Sequence, residues 1–229
     1  MASTDSDKRG MVLGAIRRGL RRGAVPADQA TLLRARLAAH PRHLIPARSR
    51  VAQAAQVALF VANVEREFGT VARVAGPDAV PDAVAHYLAA QNLPSEIAIA
   101  PHPELRAMPW AERPLLRLRE GRAKASDAVA VTQAFAAIAE TGTLMLPSAP
   151  ERPTTLNLLA DTAIVVLRAE RVVGAYEEAW ELLRGEIGAM PRNVMLVTGP
   201  SRSADIEQAL ELGAHGPRRL HVVLVGAEA

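Results

Sequence analysis

Residues 193–225 read NVMLVTGPSRSADIEQALELGAHGPRRLHVVLV. The two ends, NVMLV (193–197) and LHVVLV (220–225), are short apolar runs rich in β-branched residues, the pattern of buried strands. Between them Gly199 and Pro200 make a turn, residues 203–212 have the composition of a helix, and Gly213 suits its C-cap. Strand, helix and strand in so short a span predict a βαβ unit with parallel strands and a right-handed crossover.

Outward from that unit the alternation continues. TVARVA (70–75), EIAIA (96–100), LLRLR (115–119), DAVAV (127–131), TLMLP (143–147) and AIVVL (163–167) read as strands. Residues 78–91 and 175–188 read as helices, and TQAFAAIAE (132–140) as a helical turn or short helix. Near-continuous apolar strands such as AIVVL suit a sheet covered on both faces. The expected fold class is α/β, a mostly parallel sheet flanked by helices. Upstream, Met11, Leu13, Ile16 and Leu20 recur at helical spacing against Arg17, Arg18, Arg21 and Arg22, and residues 27–39 and 50–68 continue the helical pattern. Residues 1–50 are therefore expected as a basic helical arm and 51–229 as the α/β domain.

Composition sets further bounds. A chain of 229 residues, 49% hydrophobic and 22% charged, can bury a full core. Residues 1–50 hold 11 Lys and Arg against 3 Asp and Glu, a net of +8, while the remainder is net −5. The arm can be solvated, docked on an acidic surface, or held by a partner. No apolar run approaches the ~20 residues of a membrane span, and residues 1–23 hold no apolar stretch of signal-peptide length, so a cytoplasmic protein with no transmembrane segment is expected. Cysteine is absent, which excludes disulfides and thiolate ligation of zinc or iron–sulfur clusters; no cofactor of this chain is expected. There is no Walker A or G-x-G-x-x-G sequence, and the basic residues are not interleaved with aromatics, so no nucleic-acid partner is expected.

Three segments carry candidate chemistry. AETGTLML (139–146) offers the carboxylate of Glu140, the hydroxyls of Thr141 and Thr143, and Gly142 for a tight turn; a plain turn entering a strand is the other reading. VTGPSRSADIEQAL (197–210) has Gly199, Pro200, Ser201 and Arg202 where a strand would pass into a helix, a place where free N–H groups hold a phosphate or carboxylate. Asp205 would repel such an anion, and an ordinary capped helix explains the same residues. ELGAHGPRRLHVVLV (211–225) places His215 and Gly216 in a turn, either facing a cleft or simply exposed. Ser201, His215 and Asp205 include the residue types of a hydrolase triad, but no G-x-S-x-G elbow accompanies them. In a parallel sheet ligands bind beyond the carboxyl ends of strands, so the three segments are expected to meet at one such edge.

Together these segments resemble the LUD domain family, most closely its lactate utilization protein C type. The resemblance rests on AVTQAFAAIAETGTLML (130–146), TGPSRSADIEQALELGAHGP (198–217), LHVVLVG (220–226) and the opening helix MVLGAIRRGL. It implies a fold similar to the sugar-phosphate isomerase/CoA-transferase superfold. It also implies a place in a bacterial system of three proteins that oxidises L-lactate to pyruvate, with iron–sulfur clusters in the partners and none here. Expected partners are those iron–sulfur proteins and a small anionic ligand. The E-T-G turn resembles the nucleophilic glutamate turn of CoA transferases, which makes Glu140 a candidate nucleophile or general base; the alternative has Glu140 bonding the Gly-Pro-Ser loop and holding two turns together. The alternative function is a stand-alone enzyme acting on a phosphorylated or CoA-linked small molecule.

Overall fold

The computed structural model describes residues 5–21, 23–204 and 210–227. The chain forms two compact units, Met1–His43 and Leu44–Ala229. The first contains α1 (Asp5–Gly19) and α2 (Ala27–Ala39), and α2 buries none of its residues. The second opens with α3 (Gln53–Arg66), β1 (Thr70–Val74), α4 (Val80–Ala90), β2 (Glu96–Ile99), the short α5 (Pro103–Arg106) and β3 (Arg117–Glu120). It continues with β4 (Val129–Gln133), β5 (Ala136–Ile138), β6 (Thr143–Pro147), β7 (Thr162–Arg168) and β8 (Val172–Val173). It closes with α6 (Tyr176–Glu186), β9 (Val194–Thr198), β10 (Arg202–Ala204), β11 (Leu210–Leu212) and β12 (Arg219–Val225).

Six strands form a wholly parallel sheet in the order β1-β12-β7-β4-β2-β3. A second sheet, β8-β5-β6-β9, is mixed: β5 pairs parallel with β8, and β6 runs antiparallel to both β5 and β9. The parallel α/β architecture matches the expectation from sequence, with β7 and β12, the two most apolar strands, side by side at its centre.

The period-two rule of strands builds the layers. On β7, Ile164 and Val166 face a core completed by Val80, Val84, Tyr87 and Leu88 of α4. Ala163, Val165 and Leu167 face the other way, toward Phe60, Val61 and Val64 of α3 and Leu144 and Leu146 of β6. The far side of the mixed sheet, with Met145 and Ile138, packs on Ala179 and Leu183 of α6. Each fully buried Leu, Val or Phe contributes about 2 kcal/mol of transfer free energy.

Two expectations fail. Residues 132–140 hold the end of β4, the short strand β5 and a turn, not a helix: Ala137 faces one core while Ala136 and Ile138 face another, so alternate burial overrides the helix propensity of alanine. The helix expected at 203–212 is absent from its described ends, where Arg202–Ala204 pairs antiparallel with Leu210–Leu212. Ser201 explains the pairing. Its carbonyl accepts from Gly213 N–H at 3.0 Å and its N–H donates to the Pro217 carbonyl at 2.8 Å, which sets the two segments side by side.

Candidate functional site

The E-T-G turn between β5 and β6 is anchored on α3. Asn63, a buried residue of that helix, donates its side-chain amide to the carbonyls of Ala139 (2.7 Å) and Glu140 (3.1 Å). Gly142 has φ +68°, and a Cβ there would lie 2.8 Å from the backbone of Asn63 and Val64, so only glycine fits. Glu140 does not bond the Gly-Pro-Ser loop. Its carboxylate accepts from Arg48 Nη2 at 2.8 Å, with the Glu140 side chain 13% and Arg48 65% exposed. Thr143 is buried among three hydroxyls: Thr198 at 2.6 Å, Thr141 at 2.7 Å and Tyr176 at 3.0 Å.

The segments 198–202 and 213–217 also come together, through Ser201. Besides its two backbone bonds, Ser201 Oγ accepts from His215 N–H at 3.2 Å, and Gly216 lies against the Ser201 Cβ. Gly199, φ +76°, is pressed onto the Glu67 carbonyl at the end of α3, and Arg202 stacks its guanidinium 3.4 Å from the centre of the Phe68 ring. Pro200 lines a small apolar crevice, the His215 residue is exposed, and Asp205 lies outside the described residues. The three predicted turns thus share the C-terminal half of α3 and its exit as a neighbour or adjoin one another. However, their place differs from the one expected. They sit where β6 begins and β9 ends in the mixed sheet, and the 213–217 turn precedes β12 at the amino edge of the parallel sheet. Arg202–Ala204 is strand rather than the first turn of a helix, and the Ser201 N–H donates to Pro217, so the described residues present no free helix N-terminus at 199–203.

The carboxyl edge of the parallel sheet holds a different constellation. Gln133 ends β4, Arg168 ends β7, Glu104 stands on α5 just past β2, and Arg152 and Arg171 come from the loops after β6 and β7. They surround a cleft of about 150 Å³. Glu104 Oε2 accepts from Gln133 Nε2 (2.6 Å) and Arg168 Nε (2.8 Å), and Arg171 donates to Glu186 at 2.6 Å. Arg152 is the least satisfied. Its side chain is 17% exposed, its nearest carboxylate is Glu151 at 3.4 Å, and its Nε has no partner; neither has Oε1 of the buried Gln133. Arg152 Nη2 lies 3.0 Å from His102 Nε2. An arginine only donates, so Nε2 is the acceptor in that contact. Burial, and then the Arg152 charge, push His102 below its ordinary pKa. Burial likewise lowers Arg152, against the opposing pull of the Glu151 and Glu104 carboxylates. Arg152 thus keeps an unpartnered Nε beside a single, long ion pair to Glu151, and a guanidinium so placed can take a further acceptor. Sequence reading missed this cleft because its residues come from five separated segments and because 132–140 was read as helix, which hid Gln133 at a strand end. The one local signal was Arg168, a charge closing the apolar run AIVVL. Among the described residues no group of three or more His, Asp or Glu is placed to hold a metal.

Fold and cleft define an α/β protein with a cleft lined by arginines and glutamates at the carboxyl edge of its parallel sheet. Residues 57–225 match the LUD domain model, and the chain belongs to the LUD domain family. A protein of Neisseria meningitidis serogroup B is 41% identical over 88 residues, 38% of either chain. Lactate utilization protein C of Bacillus subtilis is 34% identical over 100 residues, 42% of either chain. The protein of that name in Deinococcus radiodurans is 36% identical over 102 residues, 44% of this chain and 47% of the other. The matches thus span less than half the length of these curated relatives. A crystal structure of a DUF162 family protein from Deinococcus radiodurans superposes with TM-score 0.59 at 21% identity, covering 77% of this chain and 99% of that one, a likeness of fold. No described helix is long and apolar enough to cross a membrane.

Proposed function

We propose that this chain is a cluster-free component of a lactate utilization system. The observation that carries the reading is the 34–36% identity to lactate utilization protein C of two bacteria, within a chain that belongs to the LUD domain family. The lack of any cysteine agrees with it, since the electron-carrying clusters of such a system then belong to iron–sulfur partner proteins. In this reading the Arg152 cleft receives a small carboxylate, and the protein docks those partners in the cytoplasm. Deleting the gene in its native host tests it. The deletion strain is expected to fail on L-lactate as sole carbon source, to grow normally on glucose, and to recover with the intact gene. Wild-type growth of the deletion strain on L-lactate would overturn the assignment. Affinity purification from lactate-grown cells, with the iron–sulfur proteins identified by absorbance and mass, tests the docking role separately.

A further inference from the structure

Arg152 borders two cavities. Besides the small cleft, it lines a groove of about 660 Å³ with Arg122, in the loop after β3, and Arg192, in the loop before β9. We propose that this groove is a binding site for an organic phosphate.

Charge is the first argument. Three guanidiniums line the groove and no carboxylate does. Among the described residues, neither Arg122 nor Arg192 has an acidic partner, and the nearest acid to Arg152 is Glu151 at 3.4 Å. The Leu44–Ala229 unit as a whole holds 18 Lys and Arg against 21 Asp and Glu, so the groove is a local concentration of positive charge on an acid-rich body. Like charges gathered at one surface repel, and an anion relieves that repulsion.

Shape and chemistry select among anions. One carboxylate carries a single charge and is far smaller than this volume. A phosphate monoester brings roughly two charges and three acceptor oxygens, which suit forked guanidinium donors. Thr154 adds a hydroxyl to the lining, prolines 150, 153 and 191 stiffen the walls, and the exposed Met190 gives an apolar shelf for the organic part of the ligand. No aromatic residue lines the groove, so there is no platform on which successive bases of a nucleic acid would stack. The site stands at the carboxyl edge of the parallel sheet, the side on which such sheets receive ligands. The proposal does not rest on the lactate assignment, and the experiment below reads binding directly.

The full chain is titrated calorimetrically at low salt with glycerol 3-phosphate, adenosine 5′-diphosphate and coenzyme A. At least one is expected to bind 1:1 with a dissociation constant below about 1 mM. In the double variant Arg122→Ala, Arg192→Ala, the affinity should fall about tenfold or more, the loss of two charge-assisted contacts. The charge-matched control Arg17→Ala, Arg18→Ala, on α1, should stay within about twofold. Both pairs are exposed, so both variants should keep the wild-type thermal transition. Failure of all three compounds to bind overturns the proposal. So does binding that survives the Arg122 and Arg192 substitutions, or binding that weakens equally in the control, which would make it diffuse electrostatics.

Discussion

His221 shows how far a single buried side chain can bias the molecule. It lies on β12, stacked on the Tyr87 ring at 3.8 Å with Nδ1 2.8 Å from the Thr70 hydroxyl, and its Nε2 has no partner. Burial pushes its pKa down from 6.5 to about 4. The unfolded chain therefore binds more protons between these values, so stability is complete above about pH 6.5 and falls as pH drops toward 4. This residue alone should make the protein about 2 kcal/mol less stable at pH 5 than at pH 7. Urea denaturation at both pH values checks it, with His221→Gln flattening the difference; equal wild-type stability at the two would refute the account. Gly142 works through the backbone instead. Gly142→Ala combines φ +68° with a Cβ 2.8 Å from α3 and should cost about 3 kcal/mol. A loss below about 1 kcal/mol would mean that α3 yields easily and that the turn is not held as described.

Between elements, the hydroxyls of Thr141, Thr143, Thr198 and Tyr176 join the start of β6, the end of β9 and the N-terminus of α6. Tyr176→Phe leaves Thr143 bonded to Thr141 and Thr198, so the expected cost is only about 1 kcal/mol in chemical denaturation. A loss several times larger would show that the tyrosine hydroxyl organises the whole junction. The same elements show what the sequence could reveal. AIVVL and HVVLV are legible as buried parallel strands because both faces of the sheet are covered and no polar residue is needed. TLMLP and NVMLV look identical by that criterion, yet belong to the mixed sheet; composition cannot say which partner a strand will find. ADIEQALEL has helical composition, but at its described ends Ala204 and Leu210–Leu212 pair as strand, beside the bonds of Ser201 to Gly213 and Pro217, which propensity does not foresee. The predicted turns do gather on α3, since Gly142 and Gly199 mark close backbone approach and glycine is readable. The arginine cleft and groove are not readable, because proximity of residues 104, 133, 152, 168 and 192 exists only once the sheet is assembled.

At the scale of the whole chain, the question is where the independently stable part begins. The three apolar cores draw on residues from Val57 onward, and the unit that contains them starts at Leu44. Residues 1–43 carry 9 Lys and Arg against 3 Asp and Glu, and α2 buries nothing. A fragment 44–229 should therefore keep the thermal midpoint of the full chain within about 3 °C. Cutting at residue 51 is a different matter. It removes Arg48, which pairs with the largely buried Glu140, and the buried Ser49, whose carbonyl accepts from Gln56 Nε2 at 3.4 Å. The Arg48 pair alone contributes well under 1 kcal/mol, because the guanidinium is mostly exposed. Uncovering Glu140 and the polar groups near Ser49 adds to this, and fragment 51–229 should be about 1–2 kcal/mol less stable than 44–229. Denaturant melts of the three chains side by side decide it. Equal stability of the two fragments would move the boundary to residue 51 and reduce Arg48 to a surface contact, whereas a large loss in 44–229 itself would make the basic helices part of the folded core.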